Sequence, residues 1–309
     1  MRLFLAKPRG FCAGVVRAID TVEKALEIWG CPIYVRHHIV HNRHVVEALE
    51  QKGVIFVEEL SAVPKGARLI YSAHGVPPSV REEAKKRGLI EIDASCGLVT
   101  RIHSAVKRYA KKGYHILLIG HKSHVEVIGT VGEAPDRTTV IESLEDVKAL
   151  AFPKTTPLFY TTQTTLSVQD VQEIIDLIKE KYPAIETLPT SSICYATTNR
   201  QLAVQTMSRF VDLILVVGDP SSSNSNRLCE VAQKQGVPSY RINSSNEIQS
   251  AWLTRVQSIG LTAGASTPEK VVEECIEALY RLGVTETKEV EAVPENVFFS
   301  LPKELFSSC

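Results

Sequence analysis

No stretch of this 309-residue chain approaches the ~18 consecutive apolar residues of a membrane span. After Arg2 the N-terminus offers only the apolar run LFLA, shorter than the roughly 7–15 residues at the centre of a secretory signal. With Cys309 as the last residue given, no prenylation box is expected. These absences lead us to expect a cytoplasmic protein. There is no excess of charge either: 35 basic side chains balance 35 acidic ones, which argues against broad electrostatic binding to nucleic acid. Neither a G-x-x-x-x-G-K-[ST] loop nor a G-x-G-x-x-G turn occurs, so a nucleotide is not indicated. Seven cysteines stand at 12, 31, 96, 194, 229, 275 and 309; no two are closer than 19 residues, and there is no C-x-x-C pair. That argues against a small disulfide scaffold and a zinc ribbon. Any metal held by cysteines must draw them from distant parts of the chain.

What is present is ordinary globular composition, 44% apolar and 23% charged, at a length that fits about two domains. Short runs rich in Ile, Val, Leu and Tyr alternate with helical periodicity. Strands are expected at 2–6, 32–39, 54–57, 67–73, 89–95 and 114–120, then at 138–143, 157–162, 212–218, 239–243 and 258–264. Helical stripes run through Val15, Ile19, Val22 and Leu26, through Val99, Ile102 and Val106, and through Val271, Cys275, Leu279 and Leu282. Such 3.6-residue stripes beside β-branched runs predict α/β units with buried, mostly parallel strands.

Three cysteines share one local setting. Cys12 follows strand 2–6 and precedes a helix. Cys96 follows LIEIDAS and precedes the helix at 99, and Cys194 follows TSSI and precedes a helix from about Asn199 to Phe210. Their spacings are 84 and 98 residues. We read three similar α/β modules, residues 1–96, 97–193 and 194–283. A tail, 284–309, returns to an earlier module, with NVFFSLPKEL as a candidate edge strand. A cysteine at a helix N-terminus feels the positive end of the macrodipole, which favours the thiolate, the ligand form. Thiolates select zinc, copper(I) or iron–sulfur clusters, and three of them leave one position of a cubane open for substrate. The competing reading is of small buried apolar residues. The flanks R-G-F-C-A-G, D-A-S-C-G and I-C-Y-A-T-T-N-R are small or polar, which favours the metal. Cys275 lies on an apolar stripe and reads as core; Cys31, Cys229 and Cys309 have no ligand setting.

All nine histidines precede residue 125. His41, His74 and His124 follow expected strands, where open α/β sheets place ligands. His37 and His38 read as strand-internal and His103 as helical, all three structural. Later strand ends carry Thr164, Ser222, Ser223, Asn224 and Ser266 instead. These groups suit helix capping or anion binding at a helix N-terminus, and a phosphate or diphosphate fits better than a nucleotide. Glu126 is the one acidic residue in these motifs with a histidine two positions away. Near an anion and a cluster its pKa would rise, as a proton donor requires; the alternative is an exposed glutamate at a helix start.

Eight motifs stand in order between residues 9 and 266, within a likeness that runs from residue 2 to the P-K-E-L near 302: R-G-F-C-A-G-V-V-R-A-I, Y-V-R-H-H-I-V-H-N, S-A-H-G-V, G-H-K-S-H-V-E-V-I-G-T, T-Q-T-T-L-S, I-C-Y-A-T-T-N-R-Q, S-S-N-S-N-R-L and T-A-G-A-S. Together they resemble the 4-hydroxy-3-methylbut-2-enyl diphosphate reductase family, which closes the non-mevalonate route to isoprenoids. The resemblance implies a trefoil of three α/β modules around a central cavity. It implies a [4Fe–4S] cluster, one per chain, held by Cys12, Cys96 and Cys194 with one iron open. It implies that His41, His74, His124, Thr164, Ser222, Ser223, Asn224 and Ser266 line the substrate site, mostly around the diphosphate. Glu126, helped by Thr164, would deliver protons. The implied reaction is a two-electron reductive dehydroxylation to isopentenyl and dimethylallyl diphosphates, fed by a ferredoxin or flavodoxin type donor. Neither nucleic acid nor membrane is an expected partner, and a monomer is expected. Two departures stand out: the family often has His-Pro-Glu at 124–126 and Asp-Ala-Thr-Cys-Pro at 93–97, where this chain has Val125, Ser95 and Gly97. Both spare the named groups. Two rivals stay open: a non-redox cluster enzyme of quinolinate-synthase type, disfavoured by H-N-R-H and T-Q-T-T-L-S, and a phosphate-binding protein with structural or zinc-binding cysteines.

Overall fold

A computed structural model describes residues 1–306, so Cys309 lies outside the described residues. The chain opens with β1 (Arg2–Lys7) and α1 (Ala13–Trp29). It continues through β2 (Ile33–Arg36), α2 (Arg43–Glu50), β3 (Val54–Val57), β4 (Arg68–Tyr71), α3 (Pro78–Lys86) and β5 (Ile90–Asp93). Helix α4 (Gly97–Lys111) leads into β6 (His115–Ile119), α5 (Val125–Val131), β7 (Thr138–Ile141), α6 (Leu144–Ala149), β8 (Leu158–Thr162), α7 (Val168–Lys181) and β9 (Glu186–Thr187). Helix α8 (Tyr195–Met207) leads into β10 (Leu213–Val217), α9 (Ser223–Lys234), β11 (Ser239–Ile242), β12 (Ser258–Ala263), α10 (Glu269–Arg281) and β13 (Glu286–Glu291).

The strands form three parallel sheets, ordered β3-β2-β4-β5, β7-β6-β8-β9 and β11-β10-β12-β1-β13. The α/β class expected from the sequence is therefore the class observed. In the two four-stranded sheets two central strands lie between outer ones, in the five-stranded sheet β10, β12 and β1 are interior, and the strand that precedes a cysteine loop is β5, β9 or β1. Strand β1 is hydrogen-bonded to β12 and β13, so the first strand of the chain sits in the sheet of the last module rather than beside β2. The edge strand added by the tail is Glu286–Glu291; of NVFFSLPKEL, only Lys303–Leu305 is regular, as a single 3₁₀ turn. Strand β2 ends at Arg36 because His37 takes a left-handed φ of 61°. His37 and His38 thus lie beyond the strand, contrary to the strand-internal reading.

Two compact units result, one of Met1–Val15, His41–Glu47 and Tyr195–Phe298, the other of Val16–Val40, Ala48–Cys194 and the segment from Phe299. In the first, Leu213, Leu215 and Val217 of β10 pack with Val271, Val272, Cys275 and Leu279 of α10. The alternate residues Ile214 and Val216 pack with Val204 and Met207 of α8 and Leu228 and Val231 of α9. Side chains alternate across a strand, so a strand covered on both faces needs apolar residues throughout, which is why LILVV reads as an unbroken run. Each such Val or Leu contributes roughly 1.5–3 kcal/mol on burial. No helix among the described residues is long and apolar enough to cross a membrane.

Candidate active site

The three candidate cysteines occupy one structural position. Cys12, Cys96 and Cys194 each immediately precede a helix, α1, α4 and α8. Each donates its backbone N–H to a carbonyl two residues beyond the end of a central strand. Cys12 donates to Ala265 (3.1 Å) after β12, Cys96 to Ala73 (2.9 Å) after β4, and Cys194 to Thr164 (3.0 Å) after β8. The side chains of His74, Thr164 and Ser266 stand at or next to those acceptors. The other central strand of each sheet gives a second set: His41, His124 and Ser222 each lie five residues past the end of β2, β6 or β10. Six of the eight substrate-site candidates therefore sit on the loops that leave central strands, the crevice side of open α/β sheets, and Ser223 and Asn224 open the helix that follows one of those loops.

In the unit containing Tyr195–Phe298, Ser222 caps α9, its Oγ accepting from Ser225 N–H at 3.3 Å. Asn224 is buried; its Oδ1 accepts from Ala265 N–H at 2.9 Å, and its Nδ2 donates to Thr197 Oγ1 at 3.4 Å. Ser266 Oγ donates to the His41 carbonyl at 2.8 Å. Asp219 accepts from Ser221 N–H and from Arg43 N–H, at 2.8 and 3.0 Å. Burial would raise its pKa, but these bonds hold it below the usual carboxylate range. Glycine permits this close approach: a Cβ on Gly218 or Gly264 would stand 2.1 or 2.0 Å from Ser225 Oγ.

In the other unit, Glu126 is only 3% exposed. Thr164 N–H donates to its Oε1 and Thr164 Oγ1 to its Oε2, both at 2.7 Å. Burial pushes the Glu126 pKa up, against the Thr164 bonds and the nearby His103, which pull it down. This excludes the exposed-glutamate alternative. His124 caps α5 through Nδ1, which accepts from Glu126 N–H at 3.2 Å. Burial, followed by His121 and His37, pushes its pKa down to about 4. The ring is neutral at pH 7, and its proton belongs on Nε2. The His74 and His124 rings lie 6.2 Å apart, and Ser72 Oγ is 3.2 Å from His74 Nδ1. His37, assigned no functional role from the sequence, stands 6.0 Å from His74 with Nδ1 2.8 Å from Glu58. The doubled histidine after a short apolar strand was its only sequence signal. His103 lies on a helix, as expected: it is buried, 3.1 Å from Glu133, and packed against Gly75.

The donor chemistry separates the cysteines. None of the described ones forms a disulfide. Cys229 and Cys275 lie in the core, where burial pushes their thiols up to about 11 and about 12, so they stay protonated. Cys31 is exposed. Cys12, Cys96 and Cys194 alone combine partial exposure with a helix start, which suits thiolate ligation of an iron–sulfur group.

The family model described as LytB protein matches residues 3–280. A 4-hydroxy-3-methylbut-2-enyl diphosphate reductase of Protochlamydia amoebophila is 63% identical over 308 residues, covering 100% of this chain and 98% of that protein. One of Chlamydia pneumoniae is 61% identical, covering 98% of each. The solved structure of the E-1-hydroxy-2-methyl-but-2-enyl-4-diphosphate reductase from Plasmodium falciparum superposes with a TM-score of 0.96 at 48% identity, covering 98% of this chain and 96% of that one. On family match, identity and fold together, the chain belongs to the LytB protein family.

Proposed function

We propose that this chain reduces 4-hydroxy-3-methylbut-2-enyl diphosphate to isopentenyl and dimethylallyl diphosphates, with Glu126 and Thr164 handling the protons. The family implies an iron–sulfur cofactor. In this reading it is a [4Fe–4S] cluster on Cys12, Cys96 and Cys194. When bound, the cluster supplies electrons and an open Lewis-acidic iron for breaking the allylic C–O bond. The electrons come from a ferredoxin or flavodoxin type donor. Overall, C–OH, two electrons and two protons become C–H and water.

The diphosphate is held by hydrogen-bond donors that follow strand ends. His124 offers Nε2–H, and Ser222, Ser223, Asn224 and Ser266 offer hydroxyls and an amide beside the α9 N-terminus. His41 and His74 complete the set. Such donors take up charge without themselves titrating near pH 7 in the case of His124. The protons follow from Glu126. Thr164 N–H occupies Oε1, so an added proton sits on Oε2 and points to Thr164 Oγ1. That hydroxyl can accept it and pass its own onward.

The observation that carries this reading is the buried Glu126–Thr164 pair, on the same loop whose Thr164 carbonyl holds the Cys194 amide. Glu126→Gln keeps an acceptor for Thr164 N–H but cannot carry the proton. In anaerobic assays with reduced methyl viologen, its iron content and diphosphate affinity should match the unsubstituted protein. Turnover should fall about 100-fold or more, the scale of general acid catalysis. Normal turnover would remove Glu126 from the proton path.

A further inference from the structure

Each cysteine-headed helix carries an arginine that the substrate site leaves unused. Arg17 of α1 and Arg101 of α4 each follow their cysteine by five residues, and Arg200 of α8 follows by six. Each guanidinium donates to the backbone or a side chain of the next cysteine's loop. Arg17 donates to the carbonyls of Ser95 at 2.8 Å and Asp93 at 3.3 Å, just before Cys96, and also to Ser300 O at 2.8 Å. Arg101 donates to Ser191 O and Thr190 Oγ1, both at 2.7 Å, just before Cys194. Arg200 donates to Gly10 O at 2.7 Å and Phe11 O at 3.4 Å, just before Cys12. It is 0% exposed and is also held by Ala196 O and by Glu295 at 3.2 Å. The order runs from 12 to 96, from 96 to 194, and from 194 back to 12. Tyr195 acts in the same direction: beside Cys194, its hydroxyl accepts from the N–H of Ala13, beside Cys12.

The sequences around these arginines are dissimilar, VVRAI, VTRIH and TNRQL, and so are the loops they reach, RGFC, DASC and SSIC. Ordinary packing would not repeat one contact on three unlike sequences. A guanidinium fork holds two acceptors in one plane with charge-assisted bonds. Fixing acceptors one to four residues before a cysteine fixes where its Cα–Cβ bond points. A thiolate site needs that pre-organisation before the metal arrives.

We propose that Arg17, Arg101 and Arg200 are positioning residues that set the three cysteine loops for the cluster, each acting on the next cysteine rather than its own. The proposal rests on the cluster reading. Arg200→Met would remove the cationic partner of the largely buried Glu295 and endanger folding, so the partly exposed Arg17 and Arg101 carry the test. In Arg101→Met apoprotein, amide hydrogen exchange should quicken about tenfold at Ser191–Cys194, the scale of losing charged hydrogen bonds, while the Cys12 and Cys96 loops stay unchanged. Arg17→Met should loosen the Cys96 loop in the same way. After anaerobic reconstitution, Arg101→Met should lose iron to a chelator several-fold faster, with an altered paramagnetic spectrum of the reduced cluster. Arg101→Lys, which keeps the charge but not the fork, should recover only part of both effects. Faster exchange confined to α4 and its own cysteine would overturn the proposal, as would wild-type iron release and spectrum in Arg101→Met. An unsubstituted protein that takes up no iron would overturn the cluster reading, and the proposal with it.

Discussion

Glu126 and His124 stand two residues apart, and burial moves them in opposite directions. The carboxyl is pushed up, towards holding a proton, and the imidazole is pushed down to about 4, towards neutrality. Burial disfavours whichever form is charged, so one environment favours a protonated carboxyl and an uncharged imidazole. The histidine has a stability consequence. Its ordinary pKa is 6.5 and its folded value is about 4, so the unfolded chain binds the extra proton between those values. Its contribution is complete above pH 6.5 and is lost as pH falls towards 4. His124→Asn keeps an N-cap acceptor for α5 without a titrating ring. The stability advantage of the unsubstituted apoprotein over this variant should shrink by about 2 kcal/mol between pH 7 and 4.5 in urea titrations. A constant difference would contradict the neutral-ring assignment. At this scale the sequence was informative, because residue types at strand ends already suggest their chemistry. Burial was not legible: nothing in H-V-E distinguishes an exposed helix-start glutamate from one sealed against Thr164.

The departures from the family's usual prolines both fall at the first residue of a helix, Gly97 of α4 and Val125 of α5. Proline suits that position because its missing N–H would have no intrahelical partner. The preceding residues are already extended, Cys96 at φ −58°, ψ 134° and His124 at φ −76°, ψ 134°, as a following proline demands. A Cβ on Gly97 would meet only Phe299, at an ordinary 3.7 Å. Gly97→Pro should therefore stabilise the chain by about 0.5–1 kcal/mol, through the unfolded state, with cluster content unchanged. A loss in the urea midpoint would show that Gly97 N–H has a partner the fold needs. Elements with apolar runs were legible, and those without were not. Strand β13, ETKEVE, is largely exposed and pairs with β1 through its backbone, with only Val290 packed on the core, so it leaves little hydrophobic signature. Two-residue β9 is too short for any periodicity, and left-handed His37 ends β2 inside a run that reads as continuous.

For the whole molecule, the repeat of sheet order is the informative feature. One order of four strands, the last of them leading to a cysteine loop, recurs as β3-β2-β4-β5 and β7-β6-β8-β9, and again as β11-β10-β12-β1, where β13 is added beyond β1. The last set borrows its fourth strand from the start of the chain. Boundaries drawn at consecutive cysteines miss this, because pairing between residues 2–5 and 258–261 has no local trace. The spacing of Cys12, Cys96 and Cys194 was nevertheless readable, since each cysteine opens a helix and the helices recur. The Arg17, Arg101 and Arg200 contacts were not, because they depend on which loop each helix reaches. The central claim joins cysteines, carboxyl and diphosphate donors in one reduction. Its most direct test is anaerobic: load the protein with iron and sulfide, add reduced methyl viologen, and follow reoxidation on adding 4-hydroxy-3-methylbut-2-enyl diphosphate. The account predicts rapid, substrate-dependent reoxidation with five-carbon diphosphate products. A brown, iron-loaded protein that leaves the viologen reduced would contradict it.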